Sequence, residues 1–115
     1  NVLPGGPATS KLFDASFFEN LGTEGVFVNV GRGQSVDEAA LVNALQQSKI
    51  AAAGLDVYAQ EPSVPAELVA MDNVVLLPHI GSATGETRAA MGNLVKANLA
   101  SFFKDRTLVS EFFAD

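Results

Sequence analysis

Apolar positions along the chain alternate between two spacings. From Gly25 to Val30 they run almost unbroken and largely β-branched, which predicts a strand buried on both faces of a parallel sheet. From Ala40 to Leu45 they recur as Ala40, Leu41, Ala44 and Leu45, one face of a helix that Asp37 caps and Glu38 opens. Residues 50–57 hold a second strand written in small side chains, Ala51 to Gly54, before Leu55-Asp56-Val57; that composition suggests close approach by a helix or a ligand. Asn73 to Leu77 is a third apolar strand, running into Pro78-His79-Ile80-Gly81. Helical spacing then returns in Met91, Leu94, Val95, Leu99 and Phe102, a stripe that reads as core-facing, on a long helix over residues 85–103 capped by Thr84. Earlier in the chain, Asp14 caps a short helix over residues 15–21, Phe13 and Phe18 have hydrophobic-staple spacing, and Gly22 is the stop. Residues 58–65 form a loop, and residues 67–71 one helical turn.

Strands alternating with helices over short connections imply an α/β fold with a parallel sheet. Asn1-Val2-Leu3 reads as the end of a strand running into the Pro4–Pro7 loop, so the chain is expected to be a fragment of a longer one. At the other end, Leu108, Val109, Phe112 and Phe113 of the tail call for a surface to bury against.

Composition narrows the function classes. The 115 residues are 48% hydrophobic, enough for one core, and carry a formal net charge of −6 with seven scattered Lys and Arg. No basic patch exists to neutralise phosphates, which argues against nucleic acid and anionic membranes as partners. Cysteine is absent and histidine occurs once, so disulfides, thiolate chemistry and a structural zinc site are not expected. No apolar run approaches a membrane span and no leader is visible; a cytoplasmic protein is the default expectation.

In open α/β sheets, ligands sit outside the carboxyl ends of the strands. Arg32 follows the first full strand, Asp56 and Glu61 follow the second, and His79 follows the third. Each has an ordinary structural reading, and most lone histidines are structural, but four such residues at neighbouring strand ends point jointly to a site. Gly31-Arg32-Gly33 imitates a dinucleotide fingerprint, with Asp56 as its downstream acid. Its third glycine is replaced by Val36 and Arg32 would crowd a pyrophosphate, so it is not read as the phosphate loop.

Taken together, Asn29-Val30-Gly31-Arg32-Gly33, Val36-Asp37-Glu38, Gly54-Leu55-Asp56-Val57, Glu61-Pro62 and Leu77-Pro78-His79-Ile80-Gly81 resemble the D-isomer-specific 2-hydroxyacid dehydrogenases. The resemblance is to the carboxyl-terminal half of their Rossmann-type NAD(P)-binding domain. Asn73-Val74-Val75-Leu76 and Phe102-Phe103-Lys104-Asp105-Arg106 most resemble the glyoxylate/hydroxypyruvate reductase branch. It implies a partial coenzyme domain over residues 1–103, lacking the GxGxxG half, and a tail over residues 104–115 that would return to a substrate domain. It implies NAD or NADP as cofactor, with NADPH favoured by the branch, a small 2-keto acid as substrate, and a homodimeric whole protein. By the resemblance, the catalytic residues are Arg32, Glu61 and His79. Arg32 would grip the substrate carboxylate, His79 would exchange a proton with the keto oxygen, and Glu61 would favour the imidazolium and hold its orientation. Leu3, Val30, Gly31, Arg32, Asp56, His79, Ile80, Gly81 and Ser82 would contact the cofactor. Gly5-Gly6 stands where the family commonly has bulkier residues. Two further readings stand beside this one: a non-catalytic half-domain that self-associates through unpaired apolar edges, and an anion-binding module using Arg32 and the helix start near Ser82 and Thr84.

Overall fold

The computed structural model describes residues 1–111. Its elements in chain order are α1 (Ala15–Leu21), β1 (Val26–Asn29), α2 (Glu38–Gln46), β2 (Ala52–Leu55), the single turn α3 (Ala66–Val69), β3 (Val74–Leu76) and α4 (Gly85–Asp105). Short 3-10 turns occur at Pro7–Thr9 and Gly33–Ser35. Helix starts follow the local chemistry. Asp14 accepts from Phe17 N at 2.9 Å, Asp37 from Ala40 N at 3.3 Å and Thr84 from Thr87 N at 3.2 Å. Each bond satisfies an amide that the first turn of a helix otherwise leaves orphaned. α1 stops at Gly22, whose φ of 81° suits a residue without Cβ. Phe112 and Phe113 lie outside the described residues.

Two compact units divide the described chain, the first Asn1–Ile80 and the second beginning at Gly81. In the first, the strands lie in the order β1-β2-β3, all parallel, with Phe27 opposite Ala53 and Leu55 opposite Leu76. Asn1 extends the pairing on the free side of β1: its amino group donates to Val28 O and its carbonyl accepts from Val30 N. One sheet face, bearing Phe27, Ala53, Leu55, Val74 and Leu76, packs with Phe18, Leu41, Leu45 and Leu68 from the helices. Phe18 meets Phe27 edge to face at 5.3 Å, and Phe13 meets Phe17 rather than closing a simple staple on Phe18.

The other sheet face departs from expectation. Val26, Val28 and Val75 are 57, 49 and 64% exposed, so β1 alternates between buried and exposed residues instead of being covered on both sides. The core face takes up α1, α2 and α3, leaving the valine face of this unit uncovered. At Gly54 the small residue relieves no crowding within the chain, because a Cβ there would meet only Val28 side-chain atoms at an ordinary 3.8 Å.

α4 is also a correction. None of its residues is buried, and Met91, Leu94, Val95, Leu99 and Phe102 form an exposed stripe rather than a core-facing one. Periodicity specifies which side chains share a face, while burial depends on a covering surface, and no described residue of this unit supplies one. The helix ends at Arg106, whose φ is 64° and whose guanidinium lies 4.9 Å from the Phe102 ring centroid. Past that turn the chain folds back, with Asn98 Oδ1 accepting from the amides of Val109 and Ser110.

Phe18 is fully buried at the centre of the aromatic cluster. Phe18→Ala should cost about 3–5 kcal/mol of unfolding free energy in urea titrations; a loss below about 1 kcal/mol would show that the cluster is not the packing centre.

Candidate active site

Because the three strands are parallel, the loops that follow them leave from one edge of the sheet. The loop after β1 carries Arg32 and is held from inside. Asn29, the buried last residue of β1, accepts from Gly31 N at 3.0 Å through Oδ1 and donates to Arg32 O at 3.4 Å through Nδ2. The buried Ser35 hydroxyl donates to the same carbonyl at 2.6 Å, while Asn1 Nδ2 donates to both Asn29 Oδ1 and Ser35 Oγ. Arg32 itself is exposed, with Nη1 donating to Gly31 O at 2.8 Å. Gly5 lies along its stem, where a Cβ would come 3.3 Å from Arg32 Cγ.

Both glycines flanking Arg32 are there for backbone contact. A Cβ on Gly31 would fall 2.8 Å from Leu3 O, and one on Gly33 would fall 1.9 Å from the carbonyl carbon of Tyr58. The close approaches that would serve a pyrophosphate in a dinucleotide turn are filled by the protein's own chain, which agrees with reading this GxG as something other than a phosphate loop.

The loop after β2 carries Glu61 and is held against the Arg32 loop at Gly33. Glu38, in the first turn of α2, accepts from Ala59 N at 2.8 Å. Tyr58 N donates to Glu61 Oε1 at 3.1 Å, orienting the carboxylate. The Tyr58 hydroxyl lies 2.9 Å from Leu77 O and 3.2 Å from Leu55 O, joining this loop to the end of β3. Burial first, then the nearby carboxylates Asp56, Glu61 and Glu38, raises the Tyr58 phenol above its ordinary value, against the lowering effect of its bond to Leu77; it remains a donor.

His79 follows β3 with a φ of 55°, a left-handed conformation unusual for a residue with a side chain. The next amide, Ile80 N, donates to the buried Asp56 Oδ1 at 2.7 Å, gripping the chain just beyond the turn. The turn aims the imidazole so that Nδ1 lies 2.7 Å from Glu61 Oε2. Donation from Nδ1–H to the carboxylate leaves Nε2 as the second ring nitrogen.

Arg32, Glu61 and His79 thus line one depression, together with Gly5, Gly33 and Tyr58. An apolar hollow formed by Pro62, Val64, Leu76, Leu77 and Pro78 adjoins the Glu61–His79 pair. Leu3, Val30, Gly31, Asp56 and Ile80 occupy the same sheet edge, whereas Gly81 and Ser82 open the second unit. From the sequence, Asn29, Ser35 and Tyr58 have no assigned role, and Glu38 has only its place in the first turn of a helix. Their contribution lies in bonds to backbone groups of the loops, which no motif spacing reveals.

Glu61 is the group whose acidity the site alters most plainly. The hydrogen bond from His79, then that from Tyr58 N, then the charges of His79 and Arg32 hold its carboxyl below the ordinary 4.5, outweighing partial burial. A carboxyl with a lowered folded-state pKa contributes stability above its unfolded value and loses it as pH falls through the folded one. Wild type should therefore melt above Glu61→Gln at pH values over 4.5, with the gap closing on further acidification. A gap independent of pH in paired thermal melts would show that the carboxylate is not stabilised by this pairing.

Comparison with known proteins bears on the family and the fold. Residues 1–81 match the family described as D-isomer specific 2-hydroxyacid dehydrogenase, NAD binding domain. Glyoxylate/hydroxypyruvate reductase A of Arabidopsis thaliana is 47% identical over 102 residues, covering 89% of this chain and 33% of the relative. The 2-ketogluconate reductase of Gluconobacter oxydans is 46% identical over 109 residues, covering 95% of this chain and 35% of that protein. Among solved structures, the NADPH-dependent glyoxylate/hydroxypyruvate reductase of Sinorhizobium meliloti, in complex with NADP and malonate, superposes with a TM-score of 0.92 at 49% identity. That match covers 95% of this chain and 34% of the other. The chain therefore spans about a third of the length of the curated relatives it matches. On the match to residues 1–81 and these relatives, the chain belongs to the NAD-binding domain of the D-isomer specific 2-hydroxyacid dehydrogenase family.

Proposed function

We propose that the whole protein carrying this chain reduces a small 2-keto acid with NAD(P)H, and that the chain is the carboxyl-terminal part of its coenzyme domain. The carrying observation is the 2.7 Å contact between His79 Nδ1 and Glu61 Oε2, at a strand edge shared with Arg32. Relatives named for glyoxylate, hydroxypyruvate and 2-ketogluconate have a 2-keto acid in common, and glyoxylate or hydroxypyruvate is the proposed substrate here. The likeness to an NADPH-dependent reductase favours NADPH over NADH.

A bound reduced nicotinamide supplies the hydride; the remaining work falls to side chains. Arg32, exposed and permanently charged, pairs with the substrate carboxylate and polarises the adjacent ketone. His79, tied to Glu61 through Nδ1, gives a proton from Nε2 to the ketone oxygen, and takes it back in the oxidation direction. Glu61 keeps the ring in that orientation. Exposed apolar side chains at the edge, Val30 and Ile80 at 50 and 45%, suit the face of a nicotinamide ring. Among the described residues, the glycine pair beside Arg32 is filled by backbone, so pyrophosphate would be held elsewhere. Asp56, Leu3 and Gly31, with Gly81 and Ser82 of the second unit, complete the proposed cofactor contacts on the resemblance alone. A homodimeric, cytoplasmic whole protein belongs to the same reading; no helix among the described residues is long and apolar enough to cross a membrane.

A second reading has its own support in the uncovered valine face and the bare stripe of α4. Taken alone, the 115-residue chain would be catalytically idle and would self-associate. Sedimentation should show concentration-dependent oligomers, and a clean monomer would count against it.

In the whole protein, Arg32→Ala should chiefly raise KM for the keto acid, and His79→Ala should chiefly lower kcat, by about 10²–10⁴-fold. Unchanged steady-state constants in either variant would overturn the assignment.

A further inference from the structure

The mechanism above uses the Arg32 guanidinium, yet Arg32 sits on a loop, is exposed, and is held mainly by its own backbone. The polar groups holding that backbone converge on Asn29. Its Oδ1 takes the amide of Gly31 at 3.0 Å, and the carbonyl of the same Gly31 takes Arg32 Nη1 at 2.8 Å. Its Nδ2 reaches Arg32 O at 3.4 Å, on the far side of the residue, where Ser35 Oγ adds a 2.6 Å bond. Asn29 is only 1% exposed, and the carboxamide has no water to turn to, so its orientation is set by these partners and by Asn1 Nδ2 at 2.9 Å.

A buried polar side chain at the last position of a strand is costly unless satisfied. Any apolar residue would serve the core face better, since Asn29 lies on the same side of β1 as Phe27. We infer that Asn29 is a positioning residue for substrate recognition: it brackets Arg32 from both sides and fixes where the guanidinium meets the carboxylate of the 2-keto acid. The inference rests on the proposed role of Arg32. It makes the anchor's position a property of β1 rather than of a free loop, with Ser35 as the supporting donor.

A double-mutant cycle in the whole protein tests this, using glyoxylate as substrate. Asn29→Ala should raise KM for glyoxylate by about tenfold, with KM for NADPH and kcat changed far less. In an Arg32→Ala background, the same substitution should cause no further rise, because the group it positions has gone. A side chain that serves only folding would lower the melting temperature and leave the KM split untouched. Ser35→Ala removes one donor from the same carbonyl and guards against failure of Asn29→Ala to fold; it should produce a smaller rise, also abolished in the Arg32→Ala background. Additive effects in the two backgrounds, or KM values equal to wild type in both single variants, would overturn the inference. Wild-type protein that does not reduce glyoxylate or any other 2-keto acid would overturn the functional reading and the inference with it. An active wild type with an additive cycle would overturn the inference alone.

Discussion

Burying a polar group without a partner costs about 1–3 kcal/mol, and the carboxyl edge of this sheet is organised by that constraint. Asn29, Ser35 and Asp56 are buried there, and among the described residues no buried side-chain nitrogen or oxygen lacks a partner. Their hydrogen bonds run largely to main-chain groups of the loops rather than to one another. Asn29 and Ser35 hold the segment around Arg32, and Asp56 holds the amide after His79. Segments that would ordinarily be the most mobile part of an α/β unit are thereby tied to the interior, and the exposed charged groups they carry inherit fixed positions.

Much of this was legible from residue order because its causes are local. Asp14, Asp37 and Thr84 cap helices through bonds reaching three residues along the chain, and that distance is visible in the sequence. Short helical connections imply parallel strands, and that order alone brings Arg32, Glu61 and His79 to one edge. Burial was harder to read. The valines of β1 and the stripe on α4 have core-like composition, but whether a face is covered depends on surfaces elsewhere. The supporting bonds were harder still. Ala59 N to Glu38 spans 21 residues and Asn1 to Ser35 spans 34, and neither leaves a periodic or compositional trace.

The site divides its labour unevenly. In the proposed reading, carboxylate recognition and proton exchange fall to side chains on three adjacent loops. The described glycine turn is spent on packing chain against chain, so the phosphate end of a dinucleotide finds no cradle in it. The relatives are about three times as long as this chain, which is consistent with such a division. In the proposed reading one edge of the sheet holds the residues with assigned roles, and the valine face of the first unit and the stripe of α4 are left bare.

The contact at Gly33 carries a consequence for motion. With no room for even one carbon between it and Tyr58, the loop after β1 and the loop after β2 lie against each other as a single slab. Neither backbone can move toward the other at this point without driving Gly33 into Tyr58, so the two loops limit each other's approach. The closest separation of the segments that carry Arg32 and Glu61 is thus set by main chain, whatever rotamers the two exposed side chains adopt.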